Sequence, residues 1–131
     1  MKEWLPGYVR AIADQLGLRD WRIELRDAGA DGGKTATLNM VPNRDYGIID
    51  IRPLFWEDTR EDQRQTVIHE CLHLHLHAVS EAFDDTVWAS NLLSTVIKEM
   101  SLAVMERAEE HAVDAIAAAI APYFPMPGTE A

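Results

Sequence analysis

His69 and His73 stand four residues apart, with Glu70 between them, in the run Thr66-Val67-Ile68-His69-Glu70-Cys71-Leu72-His73-Leu74. On an α-helix four residues make about one turn, so both imidazoles project from one side and can share one ion. Zn2+ held by nitrogen and oxygen donors in tetrahedral geometry keeps a position open for water when the protein supplies three ligands. A carboxylate immediately after the first histidine is displaced around the helix toward that water and can take its proton. His69 and His73 are therefore candidate zinc ligands. Glu70 is the candidate general base of a metal-assisted hydrolysis.

The surrounding pattern decides whether these three side chains need a partner. At about 100° per residue, Val67, Cys71, Leu74 and Ala78 form one apolar face, and Ile68, Leu72, Leu76 and Val79 form a second. The polar stripe between them carries Thr66, His69, Glu70, His73 and His77. A helix apolar on most sides is buried, and a buried row of imidazoles and carboxylate needs something to satisfy it. A metal does so; the alternative is a solvated stripe on an amphipathic helix. His77 lies about 12 Å of helix rise from His69, too far to join the same ion, and reads as a substrate contact or a polar helix end. His75 points away from the stripe and reads as a surface or interface histidine. Cys71 is the chain's one cysteine, which excludes an internal disulfide and leaves a buried reduced thiol.

A third protein ligand is required, and Glu99, Glu106, Glu109 and Glu110 are available downstream. Glu109 falls in the middle of an apolar face made by Leu102, Met105, Val113, Ile116 and Ile120, where an unpaired carboxylate is costly. Glu110 lies at the edge of that face, one turn before Asp114. Position alone does not choose among the four.

The elements that must position these groups follow from periodicity and breakers. Trp4 to Leu16 spaces Val9, Ile12, Ala13 and Leu16 at helical intervals and stops at Gly17. Trp21 to Leu25, Thr35 to Met40 and Gly47 to Arg52 read as strands, with turns over Ala28 to Lys34 and Pro42 to Tyr46. Between Pro53 and Pro122 there is no Gly or Pro, so the second half is helical. Asp58 or Thr59 followed by Glu61 and Asp62 marks a helix start. The polar group from Ser80 to Thr86 marks the expected break before a last helix running from about Val87 to Ala121. With 131 residues, 47% of them apolar, the expectation is one α+β domain spanning 1–131, with 123–131 a flexible tail.

Composition narrows the partners. Twenty-two acidic against 12 basic residues give a net charge of -10, which repels phosphate backbones, and the basic residues are scattered, so no nucleic-acid partner is expected. No stretch reaches the roughly 18 consecutive apolar residues of a membrane span. The start Met1-Lys2-Glu3-Trp4-Leu5-Pro6 lacks an export signal, so a cytoplasmic protein is expected. Oligomeric state is not legible.

The run from Thr66 to Leu74, preceded by short strands and followed by Glu110-His111-Ala112-Val113-Asp114-Ala115-Ile116-Ala117, resembles the minimal zinc metallopeptidases of phages and bacteria. These are similar to the ImmA/IrrE-type gluzincins, in which a Glu on a later helix completes the zinc site and carries Asn or Asp four residues on. The resemblance implies a zincin-like fold, Glu110 as third ligand, and Asp114 as the group that orients a ligating histidine. It also implies a peptide or protein substrate held along an edge strand beside the metal, here Gly47 to Arg52. The oxyanion-stabilising residue stays open among Tyr123, His111 and His77. Two rival readings are a non-catalytic module stapled by zinc and a metal-dependent ribonuclease. A closed staple has no need of Glu70, whereas the ribonuclease pattern requires Gly at Glu70 and His at Val79.

Overall fold

The computed structural model describes residues 1–128. An N-terminal helix α1 (Trp4–Gln15) leads into strands β1 (Arg22–Asp27), β2 (Ala36–Met40) and β3 (Tyr46–Ile51). A short helix α2 (Pro53–Glu57) and two long ones, α3 (Arg60–Ala89) and α4 (Thr95–Ile120), follow, ending in a 3-10 turn over Ala121–Tyr123. This is the α+β architecture expected, with the three-stranded sheet and long C-terminal helices in place.

Strand order is β1-β3-β2, with β1 parallel and β2 antiparallel to β3. The central strand alternates, burying Gly47, Ile49 and Ile51, because successive side chains point to opposite faces of the sheet. That face meets Val67, Ile68, Cys71 and Leu74 of α3, and Leu5, Val9, Ile12 and Ala13 of α1 close the same core together with Phe55. Two side-chain caps fix the helix starts: Thr59 accepts from the Asp62 amide at 3.2 Å, and Ser94 accepts from the Ile97 amide at 3.2 Å.

At Gly47 the sheet packs tightly against α3. A Cβ there would lie 2.7 Å from Leu74 Cδ2 and 3.4 Å from Leu38 Cδ1, and Leu74 is too buried to swing aside. Gly47→Ala is expected to destabilise the fold by ~1–3 kcal/mol, the usual cost of overpacking a core. Urea denaturation checks it; an unchanged midpoint would mean that the contact between β3 and α3 is slack.

Two expectations are corrected. The helix does not break at Ser80 to Thr86; α3 continues to Ala89 and the turn comes at Ser90 to Ser94. The polar residues there have partners that keep the helix intact: Ser80 bonds Glu109, His77 pairs with Glu81, and Thr86 bonds back to the Ala82 carbonyl. Second, Gly47 to Arg52 is not an edge strand, since β3 is paired on both sides and β2 is the edge beside α3. Helix α2 falls inside the stretch read as helical and ends just before the helix start expected at Asp58 or Thr59; Pro53 begins it, and its fixed φ suits a first helical position. Residues beyond 123 make contacts with the helices. Tyr8 donates to the Pro125 carbonyl, Arg64 to Phe124 and Arg60 to Pro127, whose ring is fully buried. Residues 129–131 lie outside the described part. Among the described residues no helix is long and apolar enough to cross a membrane.

Candidate metal centre

His69 and His73 project from the middle of α3 toward α4, and each uses both ring nitrogens. His69 Nδ1 lies 2.8 Å from Asp114 Oδ1, and His73 Nδ1 lies 3.2 Å from Glu109 Oε1. A carboxylate at Nδ1 holds the ring proton there, which leaves the Nε2 lone pair pointing into the site. The two Nε2 atoms face each other at 3.1 Å, and both face Glu110, whose oxygens lie 2.9 Å from His69 and 3.0 Å from His73. Two imidazole lone pairs and a carboxylate converge on one point, a donor set that repels itself unless a cation lies between. The three ligand atoms fall within 4.8 Å of one another, so His69, His73 and Glu110 form a group that could hold a metal ion.

The helix positions explain the division of labour on α4. Glu110 and Asp114 are one turn apart, so the first reaches the centre of the site while the second reaches the outer nitrogen of His69. Glu109 sits closer to the helix interface, its side chain only 14% exposed, and is satisfied from two sides by His73 and by the Ser80 hydroxyl, which donates to Oε2 at 2.8 Å. Glu109 was weighed from sequence as a rival third ligand or a partly buried charge; its place is behind His73. The apolar surroundings that made an unpaired Glu109 costly were the available sign that it had partners, though nothing in the sequence named His73 or Ser80.

Glu70 is the most deeply placed carboxyl of the site, 8% exposed. Burial pushes it up to about 7; His73 draws it down, and Glu110 and Asp114 add to the rise. The next residue, Cys71, is fully buried on the core side, and burial drives its thiol up to about 12. We expect Cys71 to resist iodoacetamide at pH 8 in the folded protein and to react once guanidinium unfolds it, because the thiolate is the nucleophile. Mass spectrometry reads the adduct; rapid alkylation of native protein would place the thiol at the surface.

A cleft of about 780 Å3 opens over this group, with Leu38, Asn39 and Met40 of β2 on one wall and Glu106 and Arg107 of α4 on the other. A smaller hollow of about 370 Å3 continues past His69 toward Lys34, Thr35 and Thr66. The bonds from Val41 to the Tyr46 carbonyl and from Arg52 to the Thr35 carbonyl fix which residues of β2 face β3. By alternation Ala36, Leu38 and Met40 turn their backbone N–H and C=O to the open edge, along the cleft.

The remaining expected residues fall elsewhere. His77 Nε2 lies 2.9 Å from Glu81, and its ring meets Trp21 edge-on. His75 pairs with the Leu16 carbonyl. Neither they nor Tyr123 and His111 line the cleft; side-chain donors that do include Lys34, Asn39, Arg52, Ser80 and Arg107. Glu99 is exposed on α4 away from the group. Compared with protein-family models, with curated proteins and with solved structures, the chain matches none.

Proposed function

We propose that this protein is a zinc-dependent metallopeptidase of zincin type, resembling the ImmA/IrrE group, with His69, His73 and Glu110 as metal ligands and Glu70 as general base. The observation that carries the reading is the pairing of a three-donor group with a buried carboxyl on the same turn of helix. Three protein donors suit a catalytic site, since an inert staple is closed by four. When bound, a zinc ion supplies Lewis-acid polarisation of the scissile carbonyl and lowers the pKa of the attacking water.

The protein's own residues supply the rest. Glu70 takes the proton of the water in its carboxylate form and then delivers it to the leaving amine, a delivery that burial favours by making the protonated form easier to reach. Asp114 and Glu109 keep both imidazoles in the tautomer that presents Nε2. The open edge of β2 offers N–H and C=O groups to an extended peptide, which would add as a fourth strand across the cleft and lay one amide over the metal group.

The test is digestion of an unstructured peptide mixture, with cleavage sites mapped by mass spectrometry. Cleavage that is lost with a chelator and restored by stoichiometric zinc is the expected result. Intact peptides under zinc-loaded conditions would set the peptidase reading aside.

A further inference from the structure

Helix α4 is apolar on two sides, and the fold uses only one of them. Val113 and Ala117 are buried on the side packed against α3. Half a turn around the helix lies a second stripe, Ile97, Met100 and Val104, spaced three and four residues apart like the core positions of a coiled coil. These side chains are 45%, 58% and 55% exposed, Val96 beside them is 64% exposed, and Leu92 and Leu93 in the turn just before the helix are 95% and 37% exposed. Taking about 150 Å2 for an aliphatic side chain, the lower bound for a large one, the six leave on the order of 500 Å2 open. That lies toward the top of the ~300–600 Å2 of the largest patch on an ordinary monomer and is more than half of the ~800 Å2 each partner gives to a stable interface.

The stripe continues through Ala108, His111 and Ala115, all exposed, so it is bulky in its first half and mostly small in its second. A second copy laid antiparallel about Val104 sets these halves against each other: Ile97 meets His111, Met100 meets Ala108, and Val104 meets itself. Large against small is the arrangement that lets facing layers interdigitate. Charge agrees. The chain carries a net charge of -10, yet no acidic residue lies in this register, and Arg107 at its margin falls opposite Ser101 rather than its own copy. A membrane surface fits poorly, because helices that lie on one are rich in Lys and Arg on the polar face, and α4 has only Lys98 and Arg107.

We propose that the outer face of α4 is a homodimer interface, in which two copies pack antiparallel about a two-fold axis through Val104. The helices α3 stand behind, so the assembly is a four-helix core with one metal centre on each side. The proposal does not depend on the peptidase reading.

Sedimentation equilibrium of the full chain at 1–100 μM (about that range brackets moderate dimer affinities) should give twice the 14.8 kDa chain mass. Met100→Glu should shift it to monomer with an unchanged circular dichroism spectrum and unchanged zinc binding. Val104→Cys should form an intermolecular disulfide under mild oxidation, whereas Ile97→Cys should do so only when mixed with His111→Cys. A monomer throughout the range, a dimer indifferent to Met100→Glu, or cross-linking of Ile97→Cys with itself in preference to Val104→Cys would each overturn the proposal. So would a monomer that co-sediments with phosphatidylcholine–phosphatidylglycerol vesicles through this face.

Discussion

Glu70→Gln is expected to lower peptide hydrolysis by ~10^2 to 10^4-fold, the range typical for losing general acid–base catalysis, while the protein keeps its fold and its metal. Gln has the shape of Glu but cannot accept the water's proton. Because Glu70 is 8% exposed and burial already disfavours its charged form, an uncharged amide should fit at little cost, and thermal unfolding should be unchanged or slightly later. The rate and the melting curve must be read together. A variant that cleaves as fast as the parent removes Glu70 from the mechanism, whereas loss of both rate and fold would say only that the helix was damaged.

The second large effect concerns the α4 carboxylates, whose roles the geometry separates. Glu110→Ala removes the proposed third ligand, and zinc affinity should fall by more than the ~10 to 100-fold that follows loss of a group supporting a ligand. Glu109→Ala and Asp114→Ala should each fall within that ~10 to 100-fold range. Glu109 should cost more than Asp114, since its side chain is 14% exposed against 62%, and its removal also strands Ser80. The contact of Glu109 with His73 is what makes its loss costly to the site. Glu106→Ala and Glu99→Ala should leave affinity unchanged. Competition with a chromogenic chelator measures all five, and equal affinity in Glu110→Ala and the parent would dismiss it as a ligand.

What could be read from the sequence was the part written in local spacing. The positions of His69 and His73 one turn apart and the i, i+4 spacing of Glu110 and Asp114 are helix arithmetic, and in the structure these four side chains lie together. The choice of Glu110 over Glu109 came from resemblance to a known group rather than from arithmetic. The two differ by 100° around α4, and only the packing of α4 on α3 says which faces the ion. Sheet order was illegible for a related reason: β3 and β2 are both short apolar runs, and which becomes the edge depends on the parallel return from β1 past β2. The helix break was misplaced because Ser80, Glu81 and Thr86 look like a cap in sequence but find partners along or across the helix. The true boundary, Ser90 to Ser94, carries no Gly or Pro to announce it.

Zinc titration of the demetallated protein, followed by elemental analysis after desalting, asks whether the His69–His73–Glu110 group holds an ion. One tightly held zinc per chain is expected, abolished by His73→Ala and by His69→Ala. Absence of zinc uptake, or an uptake that both histidine variants retain, would contradict it.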